Sequence, residues 1–341
     1  MSGPSISVLI VTYRSGPTLA RCLAALRAQT YPDYEVVLVD NDEPGMGDGA
    51  AAAAAAADPA IRLISPGANL GFAAGNNLAA QTATGRWLVM LNPDAYPEPD
   101  WLQRLVEAAA RRPDYRVFTS RQLADEDPSL LDGLGDVMFA AGAPYRGGYH
   151  RPDPKHVAPG EVFSPCGAAM MLDRELFLSL GGFDETFFCY CEDVDLGYRL
   201  RLAGEPTLLV PDAVVRHEGS VSSGGPASAF AVRYGTRNRL WLLIKNTPAP
   251  LVPVILPLHL ALLAVVLFTG RRDPPYNALV WAALKEGWRD RRIPLGLRRE
   301  VQAIRTAPWW EIAAAMSWNP ADLLGRRSVI RPLKARRSAA A

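Results

Sequence analysis

Cysteine is scarce, with four in 341 residues, at Cys22, Cys166, Cys189 and Cys191. Neither that number nor a lone C-x-C supports a disulfide framework or a zinc site, and the thiols are expected to be reduced, as in cytosol. Net charge is also missing. Lys and Arg number 36 against 35 Asp and Glu, so no global field draws the chain to nucleic acid, and an anionic partner must be held locally, as a small phosphorylated ligand is. There is no G-x-G-x-x-G and no G-x-x-x-x-G-K, which argues against a dinucleotide oxidoreductase and a P-loop nucleotidase. The strand pattern begins at Ile6 with no positively charged leader or small-residue cleavage site before it, so no cleaved secretion signal is expected.

Long uncharged runs are represented by Leu251 to Thr269, 19 residues bounded by Lys245 and by Arg271-Arg272. That length suits a spanning helix, but Pro253, Pro257 and His259 weaken the reading. An interfacial or re-entrant segment and a buried helix in a dimer stay open. Arg291-Arg292, Trp281, Trp288 and Trp309-Trp310 extend a pattern expected at an anionic membrane surface, although packing between subunits of a homo-oligomer explains the aromatics equally well.

From Ile6 to Phe118 short β-rich runs alternate with helical stretches, the pattern of a doubly wound α/β sheet. Strands are expected at Ile6 to Thr12, Glu35 to Asp40, Ile61 to Ser65, Arg86 to Asn92 and Arg116 to Thr119. Pro17 is placed to open a helix whose Leu19, Cys22, Leu23 and Leu26 share one face. Ala50 to Ala57 has helix propensity and no chemistry. Leu123 to Gly160 lacks a sustained period and reads as a long loop with one short element at most. Phe163 to Leu172 reads as a strand, Arg174 to Leu180 and Val194 to Leu202 as helices, and Thr207 to His217 as a strand pair broken at Pro211-Asp212. Composition shifts after Asn246 to apolar runs and Arg clusters, which marks the start of a separate C-terminal region at 248–341.

Within this frame, the apolar run Trp87 to Leu91 stops at Asn92-Pro93-Asp94. Ligands of parallel sheets collect beyond the strands' carboxyl ends, and oxygen ligands on such a turn suit a hard divalent cation shared with phosphates. Alone, the turn is more readily an Asx turn or a helix cap. Asp40, after Val36 to Val39, falls on the same edge and suits a ribose hydroxyl or base N–H. Asn69 to Asn77 forms a loop-to-helix junction in which Gly71 permits a positive φ, Gly75 admits a close neighbour, and the helix N-terminal amides would favour phosphate. Glu192-Asp193-Val194-Asp195 follows Phe187 to Cys191, an apolar run that reads as a strand, and a partly desolvated carboxylate there can serve as general base. His217, in His217-Glu218-Gly219-Ser220, is a further metal-ligand candidate beside Asp94.

In order and spacing these stretches resemble the inverting family 2 glycosyltransferases of GT-A fold, in particular the branch containing rhamnosyltransferases. The resemblance rests on V-L-I-V-T-Y at Val8 to Tyr13, V-L-V-D-N at Val37 to Asn41, N-L-G-F-A-A-G-N-N at Asn69 to Asn77 and L-N-P-D-A at Leu91 to Ala95. To these add G-A-A-M-M-L at Gly167 to Leu172, G-G-F-D-E-T-F-F at Gly181 to Phe188, E-D-V-D-L at Glu192 to Leu196 and the histidine of H-E-G-S. It covers about residues 5–247 and implies a Rossmann-like mixed sheet flanked by helices over residues 1–247, with a nucleotide-binding half at 1–120 and an acceptor-binding, catalytic half at 121–247, followed by a helical, membrane-associating C-terminal appendage at 248–341.

The resemblance implies that Thr12, Tyr13 and Asp40 contact the nucleoside of a dTDP- or UDP-sugar donor, with Asn69 and Gly71 beside the ribose or diphosphate. Asp94 would bind Mg²⁺ or Mn²⁺ with help from His217, and Asn92 stands where the family's D-x-D has its first carboxylate. Asp193 would be the general base toward a glycan or lipid-linked acceptor, at the inner face of the cell membrane. Two other readings are a sugar nucleotidyltransferase, whose Gly-rich triphosphate loop is missing from Val11 to Gly16, and an assembly subunit that has lost activity while keeping the fold.

Overall fold

The computed structural model describes residues 5–219, 228–269 and 273–333. The chain runs β1 (Ile6–Thr12), α1 (Gly16–Arg27), β2 (Tyr34–Asp40), α2 (Ala50–Ala57), β3 (Ile61–Ile64), α3 (Gly71–Thr82), β4 (Trp87–Leu91), β5 (Ala95–Pro97), α4 (Trp101–Arg111) and β6 (Val117–Ala124). It continues through β7 (Leu131–Gly133), β8 (Asp136–Phe139), β9 (Ala143–Arg146), β10 (Gly160–Val162), β11 (Ala169–Asp173), α5 (Arg174–Ser179), α6 (Glu192–Leu202) and β12 (Thr207–His217). Six helices follow: α7 (Ala229–Asn246), α8 (Val252–Thr269), α9 (Pro274–Arg289), α10 (Arg292–Ala303), α11 (Trp309–Ala315) and α12 (Pro320–Leu324).

The main sheet has the order β10-β12-β6-β11-β4-β1-β2-β3, with β5 added to β12 and β7 to β6. β3, β2, β1 and β4 are mutually parallel, and β11 enters antiparallel between β4 and β6. The sheet is buried on both faces, as the continuous apolar runs require. Ile6, Val8 and Ile10 point toward Leu19, Leu23 and Leu26 of α1 and Trp101 and Leu105 of α4. Leu9 points the other way, to Ala73 and Ala80 of α3, Leu176 and Phe177 of α5 and Leu196 of α6. The two-residue side-chain period of a strand makes this division unavoidable.

Four segments differ from the sequence reading. Leu123 to Gly160 is not one long loop: β7 joins the main sheet and β8 pairs with β9 as a hairpin. Its pattern is hard to read because buried charged residues, Asp132 and Asp136, occupy strand positions where apolar ones are expected. Only Ala169–Asp173 of the run from Phe163 forms a strand, since Pro165 has no N–H for a ladder and Gly167 sits in a turn. Thr207–His217 is one strand whose register shifts between Val210 and Val214, so Pro211 and Asp212 ride on a bulge rather than separating two strands. Phe187 to Cys191 is no strand, because Phe188, Tyr190 and Cys191 have φ of 64°, 68° and 67°.

The C-terminal helices share a core with the second half of the sheet domain. Trp241, Leu242, Ile255, Val301, Ile312 and Met316 pack with Phe163, Phe187, Val194 and Tyr198. Ser317 exchanges backbone hydrogen bonds with Met138 and Ala140, and Arg331 pairs with Glu161. α8 is different: Ala249–Thr269 has mean hydropathy 2.7 with 11% of it buried. Its 18 residues span about 27 Å at 1.5 Å each. His259 Nδ1 lies 2.9 Å from the carbonyl of Ala141, which ties the helix to the β8–β9 hairpin. Arg271-Arg272 and Ser220 lie outside the described residues.

Candidate active site

Because β1, β2 and β4 are parallel, their carboxyl ends open on one edge, and a cavity of about 250 Å³ lies there. Tyr13, Asn69, Gly71, Asn92, Asp94, Asp193 and His217 all line it. Thr12 and Asp40 do not. They are register partners at the ends of β1 and β2, where Thr12 is buried and Asp40 accepts a hydrogen bond from the Asp42 amide at 3.1 Å. Burial is the main influence raising the Asp40 pKa.

The turn after β4 is built by backbone. Asn92 N donates to Ala168 O at 3.0 Å and Ala95 N to Asn92 O at 3.1 Å, while Glu218 N donates to Asp94 O at 3.0 Å. His217 pairs with Ala95 where β12 meets β5, which places its ring against Asp94. His217 Nε2 is 3.3 Å from Asp94 Oδ1, and Nδ1 is 2.7 Å from Asp132 Oδ2. Arg146 closes the chain of charges, with Nη1 2.7 and 2.6 Å from the two Asp132 oxygens. Burial alone would lower the His217 pKa, but Asp132 and Asp94 outweigh it and push it up to about 9. His217 is therefore a cation clamped between carboxylates. Burial would raise the Asp94 carboxyl, but the His217 charge and hydrogen bond hold it below its ordinary value. Asp132 is likewise held low, against burial, by Arg146 and His217.

Across the cavity, Asp193 stands in the first turn of α6. Its Oδ2 accepts from Gly167 N at 2.9 Å and its Oδ1 from Val194 N at 2.8 Å. Of its acidic neighbours, Asp195 turns inward to Lys245, Arg199 and Asn246, while Glu192 lines the cavity. Burial, with Asp193 beside it, raises Glu192 well above the ordinary carboxyl value. Asp136 and Cys166 lie close to Asp193, with ligand atoms of all three within 4.8 Å of one another. Burial raises both, pushing Cys166 up to about 12 and Asp136 well above its ordinary value, and a thiol is a soft ligand, so this trio suits a hard cation poorly. Asp94 is the better fit: it is ionised, hard and at the cavity wall, with space beyond it for further oxygen ligands.

Gly71 has φ 77°, and a Cβ there would meet the Phe188 carbonyl oxygen at 2.6 Å; a Cβ on Gly75 would meet Val11 at 2.8 Å. Both glycines are thus required. The amides expected to face phosphate are already engaged, however: Phe72 N and Ala73 N donate to Phe188 O at 2.9 and 3.3 Å, and Gly71 N to Asn69 Oδ1 at 2.9 Å. Asp132, Arg146 and Asp136 were not expected at the site. The available signal was three charged residues in the otherwise uncharged stretch Leu130 to Tyr149.

Solved structures define the fold. A mannosyltransferase from Pyrobaculum calidifontis in complex with GDP-Man and Mn²⁺ superimposes with TM-score 0.51 and 19% identity, over 89% of this chain and 86% of that one. GalNAc-T7 with UDP, GalNAc and Mn²⁺ superimposes with TM-score 0.57 and 18% identity, over 71% of this chain and 48% of that one. The fold is that of the GT-A glycosyltransferases. The model of glycosyl transferase family 2 matches residues 7–181, and the chain belongs to that family. It falls in the rhamnosyltransferase branch, being 34% identical over 258 residues to an N-acetylglucosaminyl-diphospho-decaprenol L-rhamnosyltransferase of Mycobacterium tuberculosis, over 67% of this chain and 81% of that one. It is 32% identical to the O-antigen biosynthesis protein RfbC of Myxococcus xanthus over 72% of this chain and 20% of that one.

Proposed function

We propose that this glycosyltransferase moves rhamnose from a dTDP-linked donor to a hydroxyl of a sugar carried on a diphospho-lipid, at the cytoplasmic face of a membrane. The observation that supports it most is the meeting of Asp94, His217 and Asp193 at one cavity in a chain of this branch. Tyr13 takes the nucleoside and Asn69 and Gly71 the ribose or diphosphate, while Thr12 and Asp40, which do not line the cavity, hold the strand ends next to Tyr13 and Asn41. Asp193 accepts the proton of the acceptor hydroxyl as that oxygen attacks the anomeric carbon opposite the departing diphosphate, which inverts the centre. Asp94, with the Asn92 side-chain oxygen, would hold Mg²⁺ or Mn²⁺, whose charge offsets that developing on the diphosphate. His217 keeps Asp94 ionised and in place, and offers Nε2 to a cation only by giving up that carboxylate. A single carboxylate leaves the remaining positions to substrate oxygens.

α8, with Val254, Leu258, Leu260, Val265 and Phe268 exposed, and the exposed Trp281, Trp288 and Trp310 supply an apolar surface suited to the membrane that a lipid-linked acceptor occupies. A donor screen over dTDP-, UDP- and GDP-sugars, read by nucleoside diphosphate release with Mn²⁺ or Mg²⁺ present, tests the reading. Slow release from dTDP-rhamnose, abolished by chelator, is expected. Release from no donor would favour the lapsed assembly subunit, and pyrophosphate from sugar phosphate plus nucleoside triphosphate would favour the nucleotidyltransferase.

A further inference from the structure

The cavity wall next to Asp193 is aromatic, and nothing in donor binding uses it. Phe188, Tyr190 and Phe230 line it. Tyr234 stacks on Phe188 with ring centroids 5.4 Å apart and planes inclined by 27°, and meets Phe230 at 4.7 Å. Tyr190 lies 6.1 Å from Phe230. Phe230 is 36% exposed, so part of its surface faces the opening instead of a core. The wall is also strained, because Phe188, Tyr190 and Cys191 hold left-handed backbone that side chains disfavour and that persists where surrounding contacts over-determine it.

Glu192 supplies a second observation. It is 6% exposed, it lines the same cavity, and its Oε2 has no hydrogen-bond partner among the described residues. Buried polar atoms are almost always paired, so an orphan at a cavity wall marks a place for a donor from outside the chain.

We infer that this wall is the acceptor subsite: the rings of Phe188, Tyr190 and Phe230 receive the C–H face of a pyranose, and Glu192 Oε2 pairs with a hydroxyl or acetamido N–H on its edge. A pyranose has an apolar face and a polar rim, which is the chemistry these side chains offer together. Tyr190, Glu192 and Asp193 are nearly consecutive, so a ring seated here presents its hydroxyls to the base. The inference rests on the transfer reading above, which gives the site an acceptor sugar, and adds which face of that sugar is gripped.

The test uses the full chain and an N-acetylglucosaminyl diphosphate with a short isoprenyl tail. Saturation-transfer NMR is expected to mark the C–H protons of one ring face in the wild type and to lose that signal in Phe230→Ala and regain it in Phe230→Trp. In steady-state transfer with the same acceptor, Phe230→Ala and Glu192→Leu are expected to raise the acceptor KM about tenfold while donor KM moves less than about twofold, a factor of ten being about 1.4 kcal/mol. Glu192→Leu should not lower Tm, since it removes a buried unpaired oxygen. Equal ring-face saturation in wild type and Phe230→Ala, or none in the wild type, would overturn the inference. Saturation that depends on Phe230 without any sugar transfer would sink the transfer reading and leave the ring-binding wall standing.

Discussion

The side-chain amide of Asn238 donates to the carbonyl oxygen of Tyr190 at 2.7 Å. The same nitrogen lies 2.9 Å from the Cys189 carbonyl and 3.0 Å from that of Phe187, and Arg237 adds hydrogen bonds to Thr186 and Phe187. From the other side, Phe188 O takes the first amides of α3. The left-handed segment before Asp193 is thereby held between α7 and α3, which explains how three non-glycine residues stay in that conformation.

Asn238→Ala should cost about 1–3 kcal/mol, the penalty for leaving buried carbonyls without a donor. Asn238→Asp should cost more, because it sets an acceptor against acceptors. Denaturant unfolding of both variants checks the order, and equal stability of the two would contradict the clip.

Asp193→Asn keeps the shape but removes the proposed base, and its single oxygen can accept from only one of the Gly167 and Val194 amides. Transfer should fall by about 10²–10⁴, the range for general-base loss. Calorimetric titration with the nucleoside diphosphate should be unchanged. A variant that transfers at the wild-type rate would move the base elsewhere.

Asp195 is fully buried and meets Lys245 at 2.7 Å and Arg199 at 2.8 Å. Burial alone would raise its pKa, but Lys245 and Arg199 outweigh it and hold it below the ordinary value. With the folded value below the unfolded one of about 4, the stabilisation is complete at neutral pH and is lost as pH falls below about 4 toward the folded value. Asp195→Asn should destabilise by about 3–5 kcal/mol at pH 7, leaving buried Arg199 without a carboxylate and Lys245 with Asp184 alone, and should show a flatter acid limb. Chemical denaturation at pH 3 to 7 measures both effects.

For α8, Leu258→Glu with Leu260→Glu should abolish association with anionic vesicles, since each central charge costs about 2.5–3.5 kcal/mol to insert. Both side chains are exposed, so the fold should survive, as circular dichroism would report. If co-sedimentation with vesicles is undiminished, the helix packs on protein instead.

The parallel strands and the acidic residues at their ends were legible because each obeys a local rule. Trp87 to Leu91 must be buried on both faces, Pro93 must end the ladder, and Asp94 then has one place to go. The glycines of α3 were read for the right physical reasons, positive φ at Gly71 and close approach at Gly75, yet the partner was missed: a carbonyl of Phe188, far along the chain, occupies the amides assigned to phosphate. Asp132 and Arg146 escaped for a related reason. Their charges break the apolar pattern of β7 and β9, and they are tolerated there only because Asp132 offsets both Arg146 and His217, a tertiary fact that no local period carries. The run from Phe187 to Cys191 was misjudged because its composition is β-like while its backbone is fixed by Asn238, which lies on a later helix.

The pairing of His217 with Ala95 at the meeting of β12 and β5 has a consequence for how such a chain can diversify. Two distant segments of the polypeptide are spliced by ladder hydrogen bonds, so the sheet sets the separation of Asp94 and His217. Apart from Asp132 and Arg146, which clamp His217, the loops between the intervening strands can lengthen, shorten or change composition without moving that pair. The molecule is in this sense modular across a single strand junction: on the proposed reading, a constant junction serves the leaving group and exchangeable loops meet whatever receives the sugar.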